Sequence, residues 1–285
     1  MHRNTISAQF MAEAVGTFIL ILFGNGAIAV SVWTGAYDLW GVALMWGLGV
    51  ALGVYASGSV SGGHLNPAVT IAQAAFNDDF EWGKVLPYIG AQLLGAFLAT
   101  AAIHLAFAGV LGAFEAAEGL TRGGAGSQLS AMVYTTYAPN PAIIGTSEAA
   151  LNQVPLWRWF ANEVIITGVL VFGIFFLIES RNDQRPAANL GPVLIGLLVA
   201  ALVAYAAPVS MAALNPARDL GPRFFTALAG WGPIAFPGPR GGFWIPTTAT
   251  IIGGLIGGAF YTFIYDPVFN EEGQVSTTSE AVPTK

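Results

Sequence analysis

MAALNPARDL, residues 211–220, sets an Asn-Pro-Ala triplet directly before Arg218 and Asp219 in a chain where only 9% of residues are charged. Asn followed by Pro is a helix start with a mechanism. The Asn oxygen caps free backbone N–H groups, and Pro at the first helical position forfeits no needed donor. The apolar run that begins here, 215–227, reaches about 18 Å at 1.5 Å per residue, half a membrane thickness. SGGHLNPAVT, residues 61–70, opens a second such run over 66–76. Both read as half-helices that begin at an Asn. A third triplet, at Asn140, lies in YAPNP within a polar stretch and has neither the preceding Leu nor an apolar run behind it. It reads as a chance turn, since Asn-Pro is a frequent turn opener.

The surroundings of the two half-helices are those of a membrane protein. Of 285 residues 55% are hydrophobic, 36 are Gly, and the mean hydropathy is +0.64, outside the range of ordinary soluble domains. Six apolar runs, near 10–31, 39–58, 85–111, 157–178, 190–208 and 243–265, are long enough to cross a hydrocarbon core of roughly 30 Å. Polar breaks at 77–81 and 179–185 and a long polar loop over 112–156 separate them. Six spans put both termini on one side; Arg3, Lys84, Arg181 and Arg185 fall there, against Arg122, Arg158 and Arg240 opposite, so the positive-inside rule predicts cytoplasmic termini. No cleavable leader pattern precedes the first span, so residues 1–9 read as retained. The pairs Gly253/Gly257, Gly254/Gly258 and Gly49/Gly53 predict closely packed helices. Glu115, Glu118, Glu148 and Glu271-Glu272 read as solvated surface, and the tail over 266–285 as disordered.

An internal repeat places the half-helices. AEAVGT at 12–17 recurs in outline as NEVIIT at 162–167; Glu13 precedes Asn66 by 53 residues, and Glu163 precedes Asn215 by 52. Each half therefore reads span, span, half-helix, span, over about 8–111 and 157–265. Three spans per half insert the second copy upside down. The expected fold is an all-α membrane protein, one domain over 1–265, with six transmembrane helices and two re-entrant half-helices meeting Asn to Asn at the midplane.

The stretches 61–70 and 214–222 resemble the paired signatures of the aquaporin, or major intrinsic protein, family, and Asp219 after the Arg resembles its glycerol-facilitator branch. The resemblance spans about 10–265. It implies a homotetramer with one pore per subunit. The residues suit a pore: capping uses each Asn oxygen and leaves the NH2 groups of Asn66 and Asn215 to donate into a lumen. Pro67, Ala68, Pro216 and Ala217 complete the triplets. Two facing helix N-termini, each worth roughly half a positive charge, disfavour cations and protons. The segments before each Asn carry carbonyls outside any helix, which a membrane tolerates only along a wet cavity. Gly62, Gly63, His64, Leu65, Ser210 and Met211 are the expected carbonyl ladder.

By the same resemblance Arg218 is the filter arginine, and ungapped carry-over from the two Asn residues places Trp46, Val203 and Ala212 around it. Trp46 and Pro246 match the glycerol branch. Taken alone, Trp46 would read as an interface anchor. Ala212 departs from that branch, which usually carries a bulky aromatic there, and Val203 replaces a usual Gly. The set of Trp, Val, Ala and Arg is similar to the filter of some plant nodulin-like members, which also pass glycerol. An unpaired Asp219 is too costly at membrane depth. Adjacent helical residues do not face each other, so donors from the following loop, with Arg223 a candidate, are expected rather than Arg218.

Glu13 and Glu163 are the remaining buried acids. With no Cys, no nucleophile constellation and no metal-ligand cluster beside them, neither an enzyme, a cofactor nor a metal site is expected, and the net charge of −6 argues against nucleic acid. They read as hydrogen-bond supports for the bent backbone before each half-helix. His64 places its carbonyl, with its ring alongside, in the cytoplasmic half-pore; His2 and His104 support no functional claim. The expected protein is a multi-pass channel of the plasma (inner) membrane for glycerol, water and other small uncharged solutes such as urea, polyols or undissociated small acids. A water-selective channel and a gradient-coupled transporter are the competing readings.

Overall fold

The computed structural model describes residues 5–269. Met1–Asn4, with Arg3 and His2, and residues 270–285, with Glu271 and Glu272 and nearly all of the tail read as disordered, lie outside the described residues. Among the described residues the regular structure is all helical: α1 (Ile6–Thr34), α2 (Leu39–Ser61), α3 (Pro67–Phe76), α4 (Val85–Ala117), α5 (Gln128–Ala131), α6 (Glu148–Gln153), α7 (Leu156–Ile178), α8 (Gly191–Ser210), α9 (Pro216–Thr226) and α10 (Ile245–Phe260). α1, α2, α4, α7, α8 and the helical stretch Ile245–Phe269, of which α10 is the first part, are long and apolar enough to cross a bilayer, and α3 and α9 are the two half-helices. Caps fix the starts: Thr5 accepts from Ala8 N–H, Asp38 from Gly41 N–H, and Pro246 occupies the first turn of α10.

The repeat is visible in the packing. α1 lies against α2 and α4, α7 against α8 and α10, and the two sets meet along α2 and α8. α3 packs against α10 and α4, and α9 against α4 and α10, so each half-helix is gripped by a span from either repeat. Close approach between helices, not apolar bulk, sets these contacts, as expected where lipid is as apolar as leucine. At the α2–α8 crossing a Cβ on Gly196 would sit 2.3 Å from the Gly47 carbonyl oxygen, and one on Gly47 would sit 2.5 Å from that of Gly196. Gly253 and Gly257 meet the α7 backbone in the same way, and Gly254 meets α3.

Three expectations change. α4 runs to Ala117, and the loop over 112–156 is not simply a solvated surface, because residues 130–141 are buried. Glu115, read as solvated, is buried against the guanidinium of Arg122 at 3.0 Å and the Ser130 hydroxyl at 3.0 Å; Glu118 and Glu148 are exposed. The last span continues through a π-turn, Tyr261–Tyr265, and helical residues 266–269, so helix persists past the expected boundary at 265. At that end Arg181 bridges Glu179 at 2.7 Å and also contacts Asp266, while the Tyr261 hydroxyl donates to Glu179. The Arg181 hydrogen bond holds the Glu179 carboxyl down to about 2, so this tie between the α7–α8 loop and the last helix stays charged at neutral pH.

Gly196→Val is expected to destabilise the protein by about 1–3 kcal/mol or more, because two backbones would have to separate. Gly26→Ala, where a Cβ meets nothing within 4 Å, is expected to leave stability unchanged or slightly raised. Thermal unfolding in detergent checks the contrast.

Candidate functional site

The two Asn residues adopt nearly the same geometry, Asn66 at φ −155°, ψ 118° and Asn215 at φ −150°, ψ 115°. Asn66 Oδ1 accepts from Ala68 N–H at 2.9 Å; Asn215 Oδ1 accepts from Ala217 N–H at 2.9 Å and Arg218 N–H at 3.2 Å. Each amide group then crosses to the other repeat. Asn66 Nδ2 donates to the Leu214 carbonyl at 2.9 Å, and Asn215 Nδ2 to the Leu65 carbonyl at 2.8 Å. The NH2 groups are therefore not wholly free: one N–H of each ties the half-helices together, and the other is left for the cavity they line.

The segments that lead into each Asn are held by the glutamates. Glu13 accepts from His64 N–H at 2.9 Å and Leu65 N–H at 2.7 Å; Glu163 accepts from Ala213 N–H at 2.9 Å and Leu214 N–H at 3.0 Å. These are the same two positions before Asn in either repeat. The support is needed because Leu65, Met211, Ala212 and Leu214 all have φ between 49° and 59°, a left-handed region that costs a non-glycine residue about 1–2 kcal/mol. Gln92, which the sequence reading missed, donates to Glu13 at 2.7 Å and to Thr70 at 3.0 Å, and the Tyr88 hydroxyl donates to the Ser61 carbonyl.

A cavity of about 320 Å³ runs from the Asn pair toward the end that carries Asn77 and Ile178. Gly62, Gly63, His64 and Leu65 line it from the first repeat, and Ala212, Ala213 and Leu214 from the second. Ser210 and Met211, expected in the second ladder, do not line it. Ser210 is the last residue of α8, and its hydroxyl accepts from Asn162 Nδ2 and Ala212 N–H. Met211 faces a second cavity of about 400 Å³ on the opposite side. Ser210 leaves the ladder because α8 persists to it, whereas Met211, the first non-helical residue, belongs to the cavity beyond the neck. The His64 ring sits against Phe80 and Tyr88, with Nδ1 3.3 Å from the Thr70 hydroxyl.

Trp46 and Val203 line both cavities and so mark the neck between them, with Ala212 and Arg218 on its inner side. Trp46 is 5% exposed, which removes the interface-anchor reading. Its ring centroid lies 4.6 Å from the Arg218 guanidinium carbon. Gly24 makes room for that ring, since a Cβ there would fall 2.3 Å from it. Arg218 Nη1 donates to the Tyr134 carbonyl at 3.3 Å, and its Nη2 is buried without a protein partner. The opening is lined by a flat apolar ring with the guanidinium stacked against it, one of whose donors is left without a protein partner among the described residues.

Asp219 turns away from Arg218. It accepts from Arg223 Nε at 2.7 Å and Nη2 at 2.9 Å, and from Thr136 N–H and Oγ1, both at 2.7 Å. Two of these donors come from the loop before α7 rather than the loop after α9, a correction that follows from that loop folding inward. Arg223 also donates to the Thr136 and Ala235 carbonyls, so it pins both outer loops. Asn140 likewise proves more than a chance turn. Its side chain caps Ala142 and Ile143 N–H as a turn Asn does, yet it is buried, donates to the Ala207 carbonyl at 3.1 Å and lines the outer cavity. Tyr134, Thr136, Gln92 and Asn25 were all missed. For Asn25 and Gln92 the signal available was an amide inside an otherwise apolar span.

Six spanning helices in inverted halves, with two capped half-helices tied to each other beside one cavity, define a multi-pass integral membrane protein of the channel class. The chain belongs to the major intrinsic protein family, whose sequence profile matches residues 1–261. It is 38% identical to the glycerol uptake facilitator protein of Pseudomonas aeruginosa, covering 99% of this chain and 96% of that one. It is 40% identical to the propanediol uptake facilitator PduF of Salmonella typhimurium, covering 91% and 94%. Among solved structures it superposes on the aquaglyceroporin from Plasmodium falciparum with TM-score 0.78 at 29% identity, covering 94% of this chain and all of that one.

Asp219→Ala is expected to cost about 3–5 kcal/mol, because it leaves Arg223, 1% exposed, as an uncompensated buried charge. Adding Arg223→Ala should restore part of that loss. Thermal unfolding of the single and double variants reads both effects.

Proposed function

We infer that this chain is a passive channel for glycerol, other small uncharged solutes and water. The observation that carries the inference is the neck itself: Trp46 supplies an apolar face, and the Arg218 guanidinium stacked against it keeps one buried donor, Nη2, without a protein partner among the described residues. A polyol has CH groups on one edge and hydroxyls on the other, and such a neck serves both at once. The relatives named for glycerol and propanediol uptake agree with this solute class. Solutes then pass the remaining N–H groups of Asn66 and Asn215 and the carbonyls on the inner side. Ions and protons are disfavoured by the fixed charge of Arg218 and by the positive ends of α3 and α9, which meet at the same depth.

The finer assignments support the same reading. Ala212 in place of a ring widens one side of the neck and Val203 narrows another modestly, so urea, larger polyols and undissociated small acids belong among the solutes. We place the protein in the plasma (inner) membrane with both termini cytoplasmic, from the distribution of Lys84, Arg181 and Arg185 against Arg122, Arg158 and Arg240. A single channel domain over 1–265 assembles as a homotetramer, each subunit with its own pore; the outward faces expose Leu44, Leu105, Ile165 and Leu197 for lipid or a neighbouring subunit. No enzyme chemistry, cofactor or metal enters this function. A gradient-coupled transporter would use ionisable groups along the path, whereas Glu13 and Glu163 are spent on backbone N–H groups.

Stopped-flow swelling of proteoliposomes in glycerol and in sucrose, without an ion gradient, tests the channel. Rapid, non-saturating uptake of glycerol alone is expected; saturable or gradient-dependent uptake would favour a transporter, and water flux without glycerol flux a water channel. Ala212→Phe is expected to slow larger polyols relative to glycerol by about tenfold. Unchanged relative rates would remove the wide-neck reading.

A further inference from the structure

Among the described residues, the guanidinium of Arg218 has a hydrogen bond to one protein atom, the Tyr134 carbonyl oxygen at 3.3 Å. Its other fixed neighbour is the Trp46 ring, over which a cation can slide at little cost. The position of the Tyr134 carbonyl therefore decides how far the guanidinium reaches across the neck. Tyr134 lies in the loop between α5 and α6, so no long helix dictates where that carbonyl stands. Its own N–H donates to the Ala131 carbonyl at 2.9 Å, and its fully buried side chain adds the long-range hold. The ring is wedged edge-on between Trp33 at 5.8 Å, Trp231 at 5.7 Å and Phe225 at 6.0 Å, from three different parts of the chain. Such walls fix the plane of a ring better than its depth along its own axis. Depth is set at the tip, where the hydroxyl lies 3.0 Å from Nδ1 of His104 on α4. Asn25 Nδ2 also donates to that carbonyl, at 3.3 Å from α1, on the second lone pair beside Arg218.

The polar groups around this box act elsewhere. Arg122 lies 4.5 Å over the Trp231 ring and binds Glu115, and Glu115 accepts from Ser130, whose hydroxyl in turn accepts from Trp231 Nε1. That chain braces one wall but makes no hydrogen bond to Tyr134. Among the described residues, His104 alone hydrogen-bonds the tyrosine tip.

We propose that His104 and Tyr134 form a positioning pair for Arg218: their hydrogen bond sets the depth of the Tyr134 carbonyl, hence the reach of the guanidinium, and through it the largest polyol that the neck accepts. The proposal rests on the reading of Arg218 as the group that limits solute size. It makes His104, more than 100 residues from Arg218 in sequence, a determinant of specificity that touches no solute.

The test is the ratio of erythritol to glycerol swelling rates in proteoliposomes, with thermal unfolding measured alongside. Tyr134→Phe, which removes one oxygen and keeps the ring, and His104→Ala are each expected to change the ratio by about threefold or more, the weight of one hydrogen bond. The double variant should change it no further than either single one, since both delete the same bond. His104→Gln, whose amide can either give or take a hydrogen bond, should return the ratio toward the starting value. A merely structural role would lower the unfolding temperature and leave the ratio alone, and that outcome overturns the proposal, as does an additive double variant. Arg218→Val in parallel separates the two readings. A ratio that responds to Arg218→Val but not to Tyr134→Phe removes the positioning pair, while a ratio indifferent to both removes Arg218 as the limiting group. Should His104→Ala not fold, Tyr134→Phe alone still decides.

Discussion

A helix that starts in the middle of a membrane must find partners for its first N–H groups and for the chain leading into it, with no lipid atom able to help. This constraint governs the rest of the structure. Each half-helix caps itself with an Asn oxygen, and each leading segment hangs from one glutamate, Glu13 or Glu163, at the same two positions before the Asn. The remaining demand is met across the pseudo-symmetry, where each Asn amide donates to the carbonyl that precedes the other. Once that exchange is made, the polar edges left over face one lumen.

The exchange also explains why so hydrophobic a protein retains buried acids without using them for chemistry. A carboxylate that accepts two or more hydrogen bonds from backbone N–H groups is a strong bracket for a strained turn. It offsets residues such as Leu65 and Ala212, which hold left-handed backbone without the freedom of glycine. Asp219 does comparable service at the outer face, where with Arg223 it binds two loops to the second half-helix. The loop-bearing end beside Arg223 is thus built from polar clamps and the contacts between spans from small residues. Trp46, Val203, Ala212 and Arg218 line one cavity at the neck, where we propose that specificity is decided.

Much of the site was legible in outline. The spans, the inverted halves and the two capped starts follow from periodicity, length and the Asn-Pro signal, all local properties. Arg223 could be named as a candidate partner of Asp219 because a buried acid needs a nearby donor other than its helical neighbour Arg218, and the structure pairs the two one helical turn apart. The donors from Thr136, the burial of Glu115 and the second role of Asn140 could not. Each depends on a loop folding inward, and composition records that loop only as polar. Ser210 was misplaced for a smaller reason, since the end of α8 cannot be fixed to a single residue from sequence.

By itself the sequence determined the class of fold, the depth at which two helices begin and the residue types available at the neck, because hydrophobic length and Asn-Pro capping act within a few residues of themselves. Only the tertiary structure decided which donors remain free. Hydrogen bonds between residues scores of positions apart spend one N–H of each Asn on the opposite repeat, tie Arg218 to the Tyr134 carbonyl and leave Nη2 unpaired. A selective pore is made from what those long-range bonds leave over.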